Sequence, residues 1–390
     1  MQGHLEKRGK TWTIVLEDER VDNKRNRIYK ATGYTRKSDA GAEMKRMIRE
    51  YDSGLSFDVD NLTVAAYLKE WLEAYGKPKL AQRTYTSYTQ MINRHVTPYI
   101  GQVPLTDLKP LHLQKLYKQL VSNGARGDKK PGGLSHSSLV YTHRILHKAL
   151  DTAVKWQMVI RNVADAVELP SRPVGQESLS VLNEAQVGAM LSAAEPTPHH
   201  PALYIAVWTG MRRGEIYGLR WQDIDLVNKR INVKQTIQYD VSKGIYFKEP
   251  KTKSGRRSIA ITQSDVDMLH KHSLTQGKHR MRLGGLEKDG GLYKDSGLVF
   301  CGEDGSPTHP DTISKWFPRF MVENDLPRLR FHDLRHTHVT LLIKAGVDIK
   351  TVSERVGHAS AMMTLDRYAH VLPDQQEAAA SKLDKLIRKT

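Results

Sequence analysis

The stretch RFHDLRHTH, residues 330–338, sets three histidines and two arginines into nine positions. His332, Arg335 and His336 stand at i, i+3 and i+4, so a helix would carry them on one face. Side chains of these types can hold a metal ion, grip a phosphate, or simply form a solvated basic surface. Metal binding is the weakest of the three. HDLRH has the two-histidine spacing of a zinc peptidase helix, but Asp333 stands where that chemistry needs a glutamate. Arg335 on the same face would oppose a divalent ion, and no third ligand follows at a matching distance. We expect neither a metal nor a cofactor.

A phosphodiester suits the face better. It carries one negative charge and gains a second as an attacking oxygen adds, so arginine forks and imidazolium donors stabilise the transition state more than the ground state. Three further stretches supply matching groups: TGMRRGE at 209–215, EPKTKSGRRSIAI at 249–261 and GHASAMMTLDRY at 357–368. Arg212, Arg335, His332 and His358 are the donors. Tyr368, ten residues beyond His358, is the available nucleophile. A phenol with an ordinary pKa of ~10 is sluggish until neighbouring cations favour its ionised form.

Each motif is common when taken singly; their order and spacing are not. Over residues 175–375 the set resembles the tyrosine recombinase (phage integrase) family. That family's pattern is TGxRxxE, a lysine on a β-hairpin, HxxR, and LGH followed by a nucleophilic tyrosine. The resemblance implies that Arg212 is the first catalytic arginine, Arg213 its exposed, DNA-touching neighbour and Glu215 a supporting carboxylate. It makes His332 and Arg335 the HxxR pair, His358 the second catalytic histidine and Tyr368 the nucleophile. Val356 precedes the glycine-histidine pair where the family often has leucine, a volume-tolerant change. For the lysine, Lys251 and Lys253 both fall on the expected hairpin and, two apart, point to one side of a strand. The PKTKSGRR pattern favours Lys251, with Lys253 in support.

On this resemblance Tyr368 attacks a DNA phosphate, a 3′-phosphotyrosyl bond replaces the phosphodiester, and a 5′-hydroxyl of a second duplex later reverses the step. One ester is exchanged for another, so no ATP is needed. His332 is the expected acceptor of the tyrosine proton, and His358 a donor to a phosphate oxygen. His336 and His338 lie outside the pattern and are expected to be structural or close to DNA, with Arg330 at most a DNA contact.

The elements that must position these groups are legible in outline. NEAQVGAMLSAA and HPALYIAVWTG read as helices, KRINVKQTIQYD, GIYFKEPK and RRSIAITQ as successive strands, and the chain beyond about 311 as mostly helical. This gives a mostly α catalytic domain with a small antiparallel sheet over 175–390, preceded by the linker LPSRPVGQESLSV at 169–181. Residues 61–168 form a helical bundle of four segments: Val64, Leu68, Trp71, Leu72 and Tyr75 repeat at helical spacing, Pro110 suits N1, and Gly124 marks a stop. Residues 1–55 form a small β-sheet-plus-helix module from TWTIVLE, IYKATGYT and a helix that Ser38 or Asp39 would cap. The fold class is therefore α+β. By resemblance the bundle is a core-binding domain, where Arg83 faces a duplex, and the first module an arm-type DNA-binding domain. Lys7, Arg8, Lys10, Lys24, Arg25 and Arg27 crowd its sheet end as phosphate contacts.

Composition agrees. A formal charge of +17 and a pI near 9.7 favour a polyanionic partner such as nucleic acid. The single cysteine, Cys301, excludes an intrachain disulfide framework and a Cys-based zinc finger, and fits a reducing bacterial cytoplasm. The opening MQGHLEKRGKTW lacks the apolar core of a signal peptide, and no run nears the ~18 apolar residues of a membrane span. The amphipathic DQQEAAASKLDKLIRK at 374–389 is expected to pack on a neighbouring subunit or fold back on its own domain. The resemblance implies double-stranded attachment sites as substrate, a homo-tetramer on DNA, bending and directionality factors as further partners, and integration or excision of a mobile element or phage genome. Two rivals share parts of this chemistry: a type IB topoisomerase that reseals one strand, and a non-catalytic DNA-binding regulator.

Overall fold

The computed structural model describes residues 2–17, 27–52, 62–122, 131–171, 180–241, 243–250 and 252–368, with Asp384 and Ile387 besides. The chain divides into two compact units, Met1–Val174 and Gly175–Thr390.

The first unit opens on an antiparallel sheet in the order β1 (Gln2–Arg8), β2 (Thr11–Glu17) and β3 (Arg27–Ala31). The expected hairpin of TWTIVLE and IYKATGYT is β2 with β3. The polar QGHLEKR adds a strand that its charges disguise, paired with β2 from Gln2 opposite Glu17 to Arg8 opposite Thr11. Gly9, at φ +66°, makes the tight turn between them in a conformation that suits glycine. Ile14, Leu16 and Met47 close a small core between the sheet and α1 (Lys37–Asp52). Ser38 and Asp39 fall inside the first turn of that helix rather than ahead of it.

The helical part follows the apolar periodicity. Thr63 caps α2 (Val64–Trp71), its Oγ1 accepting from the Ala66 amide at 3.2 Å. A π-turn, Leu72–Gly76, leads into α3 (Lys77–Lys79), and α4 (Gln82–His95), α5 (Thr97–Ile100), α6 (Pro110–Val121) and α7 (His136–Lys155) complete the bundle. Trp71, Tyr67, Leu113, Tyr117 and Leu146 fill its core, and the Trp71 indole donates to Thr152 Oγ1 at 3.1 Å. Pro110 stands at the start of α6 as expected, and that helix ends at Val121. Gly124 lies outside the described residues.

In the second unit, Asn183 and Gln186 form a capping box on α8 (Glu184–Ala194), and α9 (His200–Thr209) ends at Gly210 in the left-handed region. The short α10 (Arg213–Ile216) leads to five strands: β4 (Ile224–Asp225), β5 (Arg230–Val233), β6 (Thr236–Asp240), β7 (Gly244–Lys248) and β8 (Arg257–Ala260). KRINVKQTIQYD, read as one strand, breaks at Lys234 and Gln235. Its halves enter different sheets, β5 between β4 and β8, and β6 with β7. Lys253 begins a 3-10 turn, Lys253–Gly255, so strand alternation does not govern it. Among the described residues five helices follow: α11 (Gln263–Arg282), α12 (Asp311–Glu323), α13 (Asp333–Lys344), α14 (Ile349–Val356) and α15 (Ala361–Tyr368). Leu203, Met190, Ile231, Ile259, Phe317 and Leu334 belong to one core, while Val339, Val352, Val356 and Tyr368 form a second. Among the described residues no helix is long and apolar enough to cross a membrane.

Candidate active site

The site is built where α9 gives way to α10. Gly210 takes φ +61°, and a Cβ there would lie 2.5 Å from Cδ2 of His338, so glycine is required by both conformation and space. Its carbonyl accepts from Nη1 of Arg335 at 2.8 Å. Two residues on, Arg212 and Glu215 close the start of α10 on each other. Glu215 Oε2 accepts from the Arg212 amide at 2.9 Å and Oε1 accepts from its Nη1 at 2.8 Å. The carboxylate is buried and also accepts from Arg257, at 2.8 Å from Nη2 and 3.2 Å from Nη1. Burial alone would raise the Glu215 pKa, but the Arg257 hydrogen bonds and charge, then Arg212, outweigh it and hold the group below its ordinary value.

Arg257 was not singled out by motif. Its signal lay in strand alternation: Arg257 and Ile259 share a face of β8, and the isoleucine is core. An arginine on the apolar face of a strand needs a buried acid, and Glu215 is that acid. Through Nε the same guanidinium donates to the Arg355 carbonyl at 2.7 Å, tying β8 to the end of α14.

Arg335 is 4% exposed, and its Nη2 has no hydrogen-bond partner among the described residues. Burial, reinforced by the charge of Arg212, pushes its pKa down to about 9, so it remains a cation at neutral pH. Arg212 reaches across with Nη2 to the carbonyl of Gly357 at 3.0 Å, and its side chain is 41% exposed. His358 follows that carbonyl. Its Nδ1 pairs with Thr364 Oγ1 at 2.7 Å, which fixes the ring and leaves Nε2 as the other edge. Burial, then Arg335 and Arg212, push His358 down to about 4. His332 ends at the surface just ahead of α13, and burial of its ring followed by the Arg335 charge lowers its pKa as well. The expected imidazolium donors are thus neutral rings in the unliganded site, since the arginines already supply the positive charge.

Tyr368 is 1% exposed at the end of α15. Its hydroxyl hydrogen-bonds Nδ1 of His336, a residue that the family pattern leaves out of the site. The His336 ring in turn meets His332 edge-on, with centroids 5.2 Å apart. Burial pushes the phenol up to about 12 despite the nearby charges of Arg335 and Arg367. The expected activation by cations is therefore present in placement but is outweighed by desolvation. Burial and His332 push His336 down to about 4. His338 is structural as expected: Nδ1–H donates to the Val207 carbonyl at 2.7 Å, and Nε2 accepts from Arg355 Nε at 3.3 Å.

The remaining expected contacts divide. Arg213 is half-buried rather than exposed, bound to Asp311 at 3.2 Å and to the Ser314 hydroxyl. Arg330 is largely exposed and pairs with Asp333 at 2.9 Å. In the first unit Lys7, Arg8, Lys10 and Arg83 are exposed, with Arg8 5.3 Å over the Tyr29 ring and 3.2 Å from Glu6. Lys24, Arg25, Lys251, Leu383 and Leu386 lie outside the described residues. Among the described residues, the side chains close enough to share a cation are His147, Asp151 and Asp165 in the first unit. Hydrogen bonds within that trio and to Asn162 already account for them. The histidines of 332–338 form no such group.

A mostly helical unit that gathers two arginines, two histidines and a buried tyrosine from separated motifs is the architecture of tyrosine recombinases. The model of the phage integrase family matches residues 180–375, and that of the phage integrase N-terminal SAM-like domain matches residues 63–121; the chain belongs to the phage integrase family. An integrase of Streptomyces ambofaciens is 27% identical, over 99% of this chain and 96% of its own length. The ICEBs1 integrase of Bacillus subtilis (strain 168) is also 27% identical, over 89% of this chain and 88% of its own. The fold is similar to that of the Tn1549 transposon integrase in complex with transposon right end DNA, with a TM-score of 0.67 and 22% identity. That likeness covers 82% of this chain and 99% of the other. A lambda integrase tetramer bound to a Holliday junction matches at TM-score 0.55 and 19% identity, over 95% of each chain.

Proposed function

We propose that the protein is a site-specific DNA recombinase that cuts and rejoins strands through a 3′-phosphotyrosyl intermediate, integrating or excising a mobile element or phage genome. One observation carries the assignment of residues: a buried guanidinium, Arg335, keeps one nitrogen without a protein partner among the described residues while the buried hydroxyl of Tyr368 lies within its field. A buried donor left unpaired is costly, and a phosphate oxygen satisfies it. Arg212, half-exposed and clamped by Glu215 and Gly357, supplies a second fork. His332 and the free edge of His358 complete the cradle. The negative charge of a bound phosphodiester raises the pKa of both rings and so strengthens their hold as charge develops.

In this scheme Tyr368 attacks in line, the arginines and histidines hold the non-bridging oxygens, and Lys251, with Lys253 in support, protonates the departing 5′-oxygen. The 5′-hydroxyl of a second duplex then attacks the phosphotyrosine. Residues 1–55 serve as an arm-type module, 61–168 as the core-binding domain and 175–390 as the catalytic domain. Exchange between two duplexes needs several active sites, and lambda integrase forms a tetramer on a Holliday junction. A homo-tetramer on double-stranded attachment sites, assisted by bending and directionality factors, is the working assembly, acting in the bacterial cytoplasm.

The test is a nicked attachment site taken from the DNA flanking the gene. The wild-type protein is expected to form a covalent adduct that resists denaturation, and Tyr368→Phe to bind without forming one. Binding by the wild type with no adduct would overturn the assignment.

A further inference from the structure

The cradle accounts for His332 and His358 but leaves His336 unused, although it alone among these rings hydrogen-bonds the Tyr368 hydroxyl. Resting on the nucleophile assignment above, we propose that His336, and not His332, takes the proton of Tyr368 during cleavage. The Oη–H bond breaks as an Nδ1–H bond forms, and the Oη–P bond forms as the P–O5′ bond breaks. The 5′-oxygen takes its proton from the lysine assigned above. During rejoining the attacking 5′-hydroxyl gives its proton back to that lysine as the O5′–P bond forms, and His336 returns its proton to Tyr368 as the phosphotyrosyl bond breaks.

Burial decides the matter in the first place. With Tyr368 only 1% exposed, bulk water is a poor acceptor, and the proton must pass to a group already in contact. His336 is 6% exposed, and its Nδ1 is that contact. His332 makes no hydrogen bond to the phenol among the described residues, and its ring meets that of His336 edge-on at 5.2 Å. The charged and titratable groups facing His336 are His332, Asp333, Arg335, His358, Arg367 and Tyr368 itself. Asp333 favours an imidazolium there, while Arg335 and Arg367 oppose it, and so does His332. A phosphodiester on Arg335 would offset that arginine's charge, so the opposition weakens when substrate is seated. The same cation that favours phenolate thereby ceases to block the base, and His336 stays neutral until there is something to attack.

The experiment compares single-turnover cleavage of the nicked site by wild type, His336→Asn and His336→Ala, each with tyrosine or a fluorotyrosine at position 368. Asparagine offers a hydrogen-bond acceptor at the reach of Nδ1 but cannot take a proton, so a merely positioning role predicts near wild-type cleavage. Proton transfer predicts a loss of about 100-fold or more for His336→Asn with site binding retained. It also predicts substantial recovery when the phenol is made more acidic. For His336→Ala, added imidazole should restore part of the rate. Wild-type-like cleavage by His336→Asn, or loss that neither fluorotyrosine nor imidazole relieves, overturns the proposal. If wild type itself forms no adduct, the nucleophile assignment fails instead.

Discussion

Arg212 and Gly357 are joined across 145 residues by a hydrogen bond of 3.0 Å from Nη2 to the carbonyl. The guanidinium proposed to hold one phosphate oxygen is therefore fastened to the residue that precedes His358, proposed to hold another. The bond ties the placement of one group to that of the other, as a preorganised anion site requires.

A lysine at position 212 keeps the charge and loses the fork. It cannot satisfy Glu215 and Gly357 together while reaching a phosphate. Arg212→Lys is expected to lower the rate of adduct formation by about 100- to 1000-fold, in line with loss of one transition-state donor. Gel-shift affinity for the site, set by many phosphate contacts, should change little. Cleavage within tenfold of wild type would mean that Arg212 does not touch the reacting phosphate.

Arg257→Met removes one of two cations from a buried carboxylate. Breaking a buried pair by removing one partner costs about 3–5 kcal/mol, and because Arg212 still bonds Glu215 the loss should fall at or below the lower end. Urea unfolding of the full chain measures it. The double variant Arg257→Met with Glu215→Leu should recover part of that stability, yet remain inactive because Arg212 has lost its clamp. Recovery of activity together with stability would refute a positioning role for this pair.

How much of this was legible in the sequence depended on the kind of signal. Arg212, His332, Arg335, His358 and Tyr368 could be chosen from ordered motifs, and the structure brings them to neighbouring elements of one unit. The layer structure followed from apolar periodicity, which is why the helices of 64–155 were found and the strand at Gln2–Arg8 was not: only Leu5 among its side chains is apolar and turned to the core. Three features depend on tertiary packing that no local pattern encodes. The split of KRINVKQTIQYD between two sheets is a tertiary choice that local alternation does not encode. The burial of Tyr368 raises its pKa against the cations that spacing had promised. The bond from Tyr368 to His336 depends on where α15 lies against α13, and no interval along the chain carries that information.

In the amino-terminal module, partners rather than exposure separate the basic residues. Lys7 and Lys10 are exposed, whereas Arg8 is shared between Glu6 at 3.2 Å and the Tyr29 ring at 5.3 Å. If this module grips DNA by its phosphates, Lys7→Ala and Lys10→Ala should each weaken binding on every sequence alike and lower the slope of log K against log salt by about 1. Arg8→Ala should do less, because its charge is already partly engaged. Fluorescence anisotropy across a salt series reads the slopes, and unchanged slopes for both lysines would remove the module from the phosphate interface.

The histidines also set how the second unit responds to acid. His338 is pushed down to about 3 by burial and the charge of Arg355, well below its ordinary 6.5. An unfolded chain takes up a proton at this position as pH falls below about 6.5, while the folded one does not until about 3. Stability from this group is therefore complete above the ordinary value and is lost as pH drops through that window, by about 2 kcal/mol at pH 5. His338→Asn keeps a donor for the Val207 carbonyl but loses the acceptor for Arg355, at a cost of about 1 kcal/mol at pH 7. Since asparagine does not titrate, the variant escapes the acid penalty. The two urea-unfolding curves should converge as pH falls from 7 and cross before pH 5, at about pH 5.7. His336 and His358, both near 4, impose the same downward trend on wild type and variant alike, so the difference isolates His338. A gap that stays constant with pH would mean that His338 takes up its proton in the folded protein as readily as in the unfolded chain, and the Arg355 contact at pH 5 could not then be a hydrogen bond to its Nε2.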